Sequence, residues 1–171
     1  TCPLDENFRI RKEDYFSPNG GIVIPNPNAP TGILEDIRMF EEIVAANPDS
    51  VVIIDEAYVD FGGKSALPLL EKYENLMVVQ TFSKSRALAG LRVGYAIGNK
   101  KLIDYLKDVK FSFNSYTMNM PAIEMGAAAV LDDAYFKETV GKIVKTREWT
   151  KEQLKKLGFS FADSKSNFLF V

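Results

Sequence analysis

One lysine, Lys84, stands where an amine could do covalent chemistry. It follows the hydroxyl residue Ser83 and precedes two arginines, Arg86 and Arg92. Neighbouring guanidinium groups favour the loss of a proton from an ammonium, and the free amine can attack a carbonyl carbon to form a Schiff base. Because most lysines are solvated surface residues, Lys84 taken alone would be assigned to the surface. Its interpretation therefore depends on the rest of the sequence.

The composition is that of an ordinary globular protein. Of the 171 residues, 46% are hydrophobic and 26% are charged, and the net charge of −2 provides no basic surplus for nucleic acid or an anionic membrane. Histidine is absent, which excludes histidine-based triads and histidine metal ligands. A single cysteine, Cys2, can form no internal disulfide, so we expect a reducing, cytoplasmic compartment. No apolar run reaches membrane-spanning length.

The hydrophobic pattern predicts an α/β fold. Continuous or near-continuous apolar runs predict strands at 22–24, 51–54, 76–79 and 93–97. Continuous runs are typical of parallel strands that are covered on both faces. Helical patterns lie between or after these runs, at 34–44, 102–109, 119–130 and from 132 or 133 to Gly158. This alternation predicts an open, mostly parallel sheet with helices on both faces.

The sequence divides near Asp132. Residues 1–131 contain all the main strands and predict part of a large domain. Residues 132–171 predict the start of a small α+β domain, with one long helix followed by strand-like pieces at 159–161 and 167–171. The polar and aromatic stretch 111–117 predicts a connection. Because the chain stops inside an apolar run, we expect it to be part of a longer protein.

The residues that follow the first three predicted strands carry the chemistry. In open parallel sheets, ligands bind beyond the carboxyl ends of the strands, so these residues should meet at one edge. They comprise an amide in a proline-rich turn, a carboxylate with a tyrosine, and a lysine with two hydroxyls. In chain order they are Asn28, Asp55, Tyr58, Thr81, Ser83 and Lys84.

This set of side chains suits pyridoxal phosphate catalysis. Lys84 would hold the aldehyde as a Schiff base, and Asp55, buried at a strand end, would keep the pyridine nitrogen protonated so that the ring acts as an electron sink. Tyr58 would donate to the phenolate oxygen of the ring. Ser83 and Arg92 would bind the phosphate through charge-assisted hydrogen bonds. After the substrate displaces it, Lys84 would move a proton between the substrate Cα and the cofactor.

Other interpretations of the same segments remain. The segment 25–32 could be a tight turn without further function, and an apolar run that ends in Asp55-Glu56 resembles the magnesium-binding strand of a nucleotide hydrolase. The segment 62–65 imitates the end of a phosphate loop, but that motif requires a glycine where Tyr58 stands.

Several charged residues receive plainer assignments. We expect Arg86 to be an ordinary surface charge. We expect the lysines of the last predicted helix to form its solvated face. These lysines are Lys151, Lys155 and Lys156.

With these residues in place, the sequence resembles the fold-type I, class I and class II aminotransferases, and within them the histidinol-phosphate branch. The resemblance rests on segments 26–32, 55–58, 83–95 and 166–169, which span nearly the whole chain. It implies a partial large cofactor-binding domain in 1–131 and the start of the small domain in 132–171. The site residues that it implies are Lys84 for the Schiff base, Asp55 for the pyridine nitrogen, Tyr58 for the ring oxygen, and Ser83, Arg92 and Thr81 for the phosphate pocket.

The resemblance also implies a reaction and partners. The reaction would be transamination of histidinol phosphate with 2-oxoglutarate, giving imidazole acetol phosphate and glutamate in histidine biosynthesis, by a homodimer that uses pyridoxal 5'-phosphate. The alternatives are an aromatic amino-acid aminotransferase and a lyase or decarboxylase of the same fold, because the substrate pocket selects the bond that breaks. A third alternative is a non-catalytic isolated domain that binds the cofactor weakly or not at all.

The chain departs from the family pattern in two respects. The family usually has asparagine directly before Pro-Thr-Gly, where this chain has Ala29. Either Asn28 reaches the ring oxygen through a shifted turn, or Tyr58 alone contacts it. The family's upstream Gly-Ser phosphate loop and downstream substrate-binding arginine are not found in this sequence, so we expect this chain by itself to be a poor catalyst or none.

Overall fold

A four-stranded sheet forms the centre of the structure, a computed structural model that describes residues 1–171. The strands are β1 Ile22–Pro25, β2 Val52–Asp55, β3 Leu76–Thr81 and β4 Gly94–Gly98, in the spatial order β1-β2-β3-β4. β1 pairs with β2 and β2 with β3 in parallel, whereas β4 pairs with β3 in the antiparallel sense. The predicted α/β fold with a mostly parallel sheet is therefore confirmed.

Each of the four main helices begins at a polar residue that caps it. The helices are α1 Ile37–Ala46, α2 Lys100–Phe113, α3 Met120–Leu131 and α4 Asp133–Lys156. A side-chain oxygen at each N-cap accepts a backbone N–H that the helix itself leaves unpaired. The capping residues are Asp36, Asn99, Asn119 and Asp132. None of the helices combines the length and apolarity that a membrane span would need.

The main core lies between α1 and one face of the sheet. Phe40, Ile43 and Val44 of α1 are fully buried there. They pack against alternate residues of the three parallel strands, namely Ile22, Ile24, Val52, Ile54, Leu76 and Val78. On the opposite face, Val23 at the edge strand is 67% exposed. Strand alternation therefore separates a core face from a second face, to which the side chains between these core positions belong.

Two sequence-based expectations about the later half of the chain are wrong. Residues 111–113, expected in a connection, form the last turn of α2. The apolar pieces at 159–161 and 167–171 form no strand, because a strand requires a hydrogen-bonded neighbour and these pieces have none. The only bridge in this region joins Ser164 to Ile33.

The segment around Ser164 returns to the turn that follows β1. Ser164 bridges Ile33, and the Lys165 N–H donates to the Gly32 carbonyl at 2.8 Å. Gly32 has a φ of +73°, and a Cβ at this position would lie 2.3 Å from Ser164 Oγ. Both the left-handed backbone and the close approach of Ser164 therefore require glycine at position 32.

Substitution at this glycine should destabilise the fold. We expect Gly32→Ala to lower the free energy of unfolding by about 2 kcal/mol, because the methyl group must displace Ser164 and the backbone must adopt a strained φ. Urea denaturation measures the change. The matched control is Gly141→Ala in α4, where a Cβ meets nothing within 4 Å; it should raise stability by about 0.5–1 kcal/mol. Equal midpoints for Gly32→Ala and the wild type would contradict this assignment.

Candidate active site

Lys84 and Tyr58 face each other beyond the carboxyl ends of two neighbouring strands. Lys84 lies in the loop that follows β3, and Tyr58 lies in the turn that follows β2. The Nζ atom of Lys84 is 5.1 Å from the centroid of the Tyr58 ring, a cation–π distance. Lys84 Nζ has no hydrogen bond or ion pair to any carboxylate of the chain. The structure thus leaves an amine exposed to the space between the two loops.

Contacts on the C-terminal side of Lys84 hold its loop in place. Ser85 is buried, and its hydroxyl donates to Asp60 in the turn after β2. The Arg86 guanidinium donates to the Ala129 carbonyl of α3 and lies 4.2 Å from the centroid of the Phe136 ring of α4. These contacts join the Lys84 loop to three other elements, so the backbone beside the amine is fixed.

The expectation that Arg86 is an ordinary surface charge is therefore wrong. Ala129 lies in the last turn of α3, where carbonyl groups lack intrahelical donors and the helix dipole favours a cation. The stacking on Phe136 adds a cation–π contact. Arg86 thus ties the Lys84 loop to the junction between α3 and α4.

Asp55 ends β2 on the face of the sheet opposite the main core. Its neighbour Ile54 points into that core, so alternation places Asp55 on the second face, as it does Thr81 of β3. Asp55 is half-buried, not fully buried as expected, because it stands at the end of its strand. Its Oδ1 accepts the Ala57 N–H at 3.0 Å, and Oδ2 has no partner within the chain.

The structure brings two of the predicted phosphate ligands together. Thr81 Oγ1 lies 2.9 Å from Ser83 Oγ and 3.3 Å from the Val93 carbonyl oxygen, and the Ser83 N–H donates back to Thr81 Oγ1 at 3.1 Å. Arg92 precedes Val93, but its Nη1 donates to the Ala89 carbonyl at 2.9 Å and its side chain is exposed. Arg92 is therefore the chain neighbour of a residue that contacts the hydroxyl pair, but its own side chain does not bond to that pair.

Asn28 is engaged in its own turn. Its Oδ1 accepts the Thr31 hydroxyl at 2.9 Å, and its backbone N–H donates to the Ile33 carbonyl at 2.8 Å. It forms no hydrogen bond with Tyr58 or Lys84. Among the residues considered for the ring oxygen, Tyr58 is the one that the structure places beside the lysine.

Phe168 packs against Tyr58, a contact that the sequence analysis did not predict. The two rings meet edge to face, with centroids 5.1 Å apart and planes at 90°. Phe168 arrives with the returning segment 164–168, which Arg147 of α4 holds. Arg147 Nη1 donates to the Phe61 and Ser166 carbonyls, both at 2.8 Å.

Lys151 holds the same segment from the next turn of α4, so the expectation that it lies on a solvated helix face is wrong. It is 5% exposed and donates to the Ser164 carbonyl at 2.9 Å and to Asp163 at 2.6 Å. This hydrogen bond lowers the pKa of Asp163 below its ordinary value. The sequence did contain a signal, because Arg147 and Lys151 continue the apolar stripe of Ile143 at four-residue spacing.

The chain matches a family model along almost its entire length. Residues 3–171 match the model described as aminotransferase class I and II. A histidinol-phosphate aminotransferase from Brachyspira hyodysenteriae is 56% identical over 170 residues, which is 99% of this chain and 48% of that protein. The chain thus spans about half the length of this relative.

Solved structures give the same assignment of fold. The histidinol-phosphate aminotransferase from Clostridium acetobutylicum superposes with a TM-score of 0.84 at 32% identity, over 97% of this chain and 52% of that one. The enzyme of that name from Sinorhizobium meliloti, solved in complex with pyridoxal-5'-phosphate, has a TM-score of 0.79 at 25% identity, over 88% of this chain and 41% of that one.

Removal of the buried guanidinium should release the segment that bears Phe168. We expect Arg147→Met to lower the free energy of unfolding by about 3 kcal/mol, because the buried Phe61 and Ser166 carbonyls lose their donor. Urea denaturation measures this loss. The control is Lys142→Met, which removes an exposed ion pair with Glu138 on the same helix and should leave the midpoint near that of the wild type. Similar midpoints for the two variants would contradict the structural role of Arg147.

Proposed function

Because this chain belongs to the class I and class II aminotransferases, we propose that the protein transfers the amino group of histidinol phosphate to 2-oxoglutarate with pyridoxal 5'-phosphate as cofactor, in histidine biosynthesis. The observation that carries the proposal is the unpaired Lys84 amine opposite Tyr58 at the carboxyl edge of the sheet. The identity of 56% to a histidinol-phosphate aminotransferase supports the substrate assignment.

The side chains at this edge fit the cofactor. Pyridoxal phosphate supplies a conjugated ring that takes up the electron pair of a bond broken at the substrate Cα. Lys84 offers an amine without an ion-pair partner for its aldehyde, and Asp55 offers a free carboxylate oxygen for its ring nitrogen. The paired hydroxyls of Thr81 and Ser83 offer donors for its phosphate.

Each of these residues then has a distinct task. The Asp55 carboxylate keeps a proton on the ring nitrogen, which strengthens the electron sink. The Tyr58 hydroxyl, which has no partner within the chain, donates to the ring oxygen in place of Asn28. Lys84 Nζ carries a proton to and from the substrate Cα, as a general base and acid. Arg92 is exposed and free to turn towards the phosphate beside Ser83.

We also propose a homodimer in the cytoplasm, with the domain division near Asp132. Helices α2 and α3 expose large apolar side chains, and extended apolar patches of this kind mark association surfaces. Examples are Val109, Phe113, Met120 and Leu131. The single cysteine suits a reducing compartment.

Sedimentation equilibrium of the purified protein should give twice the monomer mass, and a monomer at micromolar concentration would contradict the dimer.

Lys84 should be the residue that pyridoxal phosphate modifies. When the cofactor is added to this chain, we expect a visible absorption band, and after borohydride reduction a mass increase that peptide mapping assigns to Lys84. Lys84→Ala should abolish both signals, because Lys84 is the lysine that lies against Tyr58 in this space. Lys64→Ala, which removes an exposed lysine, should retain them.

Two further results bear on this experiment. Asp55→Ala should retain the modification but slow the exchange of the substrate Cα proton by about a hundredfold or more, because the ring loses its proton. Equal labelling of wild type and Lys84→Ala would refute the site. Unchanged proton exchange in Asp55→Ala would remove Asp55 from its role.

A further inference from the structure

A row of polar side chains crosses the sheet just beyond the apolar core. The row has one residue from each strand, all at the same register position. Gln80 lies in β3 and Tyr95 in β4, and Asn26 and Glu56 directly follow β1 and β2. On each of the three parallel strands, the residue two positions before the row belongs to the core. Strand alternation therefore places the row on the core face. Asp55 and Thr81 lie on the other face, each directly bonded along the chain to a member of this row.

Glu56 is the charged member of the row and is 2% exposed. Its carboxylate accepts three hydrogen bonds, from the Ser65 hydroxyl at 2.7 Å, the Ala66 N–H at 2.5 Å and Gln80 Nε2 at 2.8 Å. The Ser65 oxygen itself accepts the Leu67 N–H at 3.1 Å, which leaves the Ser65 proton for Glu56. The buried carboxylate is thus fully paired, as a buried charge requires.

The direction of the hydrogen bonds that run from Glu56 through Gln80 to Tyr95 follows from Glu56. A carboxylate only accepts, so the Gln80 side chain must present its NH₂ group to Glu56 and its carbonyl oxygen to the next strand. That oxygen accepts the Tyr95 hydroxyl at 2.5 Å. The charge on β2 therefore fixes the amide on β3 and the hydroxyl proton on β4.

We propose that Glu56 is a positioning residue of the site: through Gln80 and Tyr95 it fixes the relative positions of the carboxyl ends of β2 and β3 and the amino end of β4. Asp55 precedes Glu56, and Thr81 follows Gln80, so any displacement in the row passes directly to the two residues at the site edge. The proposal rests on the proposed function only in treating Asp55 and Thr81 as residues of the site. The row itself is independent of any cofactor.

The environment of Tyr95 provides a readout of the row. Burial, chiefly, raises the pKa of Tyr95; the charges of Asp60 and Glu56 add to this effect, and that of Arg86 opposes it. In Glu56→Gln, an amide N–H faces Gln80, whose side chain can then turn over and donate to the Tyr95 oxygen. Both the lost charge and the new donor favour the phenolate, so the pKa of Tyr95 should fall.

The first measurement is the titration of Tyr95 by NMR in this chain, labelled with ¹³C at tyrosine Cζ and without added cofactor. Tyr95→Phe identifies the resonance. We expect Tyr95 to titrate at lower pH in Glu56→Gln than in the wild type. In the control Glu74→Gln, which removes an exposed carboxylate, the titration should be unchanged. An unchanged Tyr95 titration in folded Glu56→Gln would overturn the proposal.

The second measurement is amide hydrogen exchange at the strand ends. The N–H groups of Asn26, Glu56 and Phe82 donate across the sheet at 2.8, 2.9 and 3.1 Å. We expect Glu56→Gln to accelerate exchange at these amides about tenfold relative to Val78 in the core, because the loss of one hydrogen bond to a charged group costs roughly that factor. Equal acceleration at the strand ends and the core would overturn the positioning role.

The two proposals fail in different ways. If Glu56→Gln does not fold, two other variants test the proposal. Ser65→Ala removes a hydrogen bond to Glu56, and Tyr95→Phe removes the hydrogen bond to Gln80. Each must accelerate amide exchange at Glu56 or Phe82 more than at Val78. No acceleration in either variant would overturn the proposal. Absence of pyridoxal phosphate labelling at Lys84 would refute the proposed function, yet would leave both of these measurements unaffected.

Discussion

The parallel pairing of β2 and β3 is the constraint on which the site depends. This register sets Asp55 beside Val79, so both strands end within a few residues of each other at the same edge. The loops that leave the strands there must run side by side, which brings Tyr58 and Lys84 face to face. Antiparallel pairing would send the two loops to opposite edges. The antiparallel β4 has another effect, because its pairing with β3 sets Val93, the residue before β4, beside the Thr81 hydroxyl.

Buried cations connect the last third of the chain to this edge. Arg147 and Lys151 occupy positions on α4 where an apolar residue would ordinarily face the core, and there they donate to backbone carbonyls of the returning segment. A buried charge is tolerated only when its donors are satisfied, so this segment is confined to the path that supplies those carbonyls. The result is the edge-to-face contact of Phe168 with Tyr58. A contact of this kind constrains the Tyr58 ring while leaving its hydroxyl without a partner in the chain.

The sequence predicted local elements well and long-range contacts poorly, for physical reasons. Continuous apolar runs and helical periodicity depend on near neighbours, so the strands and helices appeared at their predicted places. Phe168, by contrast, reaches Tyr58 through carbonyl groups that accept from Arg147, and backbone acceptors leave no trace in side-chain patterns. Likewise, Arg86 looked like a surface charge, since neither the Ala129 carbonyl nor Phe136 is near it in sequence. The apolar tail failed to become a strand because strand formation needs a partner that apolar sequence alone does not specify.

The distribution of carboxylates explains why the Lys84 amine remains unpaired. Three acidic residues stand at the end of β2 or shortly after it, and each accepts a hydrogen bond from another group. Glu56 accepts three donors on the core face, Asp60 accepts the Ser85 hydroxyl, and Asp55 accepts the Ala57 N–H through Oδ1. An ion pair with any of them would hold the Lys84 side chain against a carboxylate. None of the three forms an ion pair with Lys84, and the amine meets the face of an aromatic ring instead. A cation–π contact at that distance holds the side chain less firmly than a buried salt bridge would. The arrangement of donors around the carboxylates thus goes together with a lysine that has no ion-pair partner in the structure.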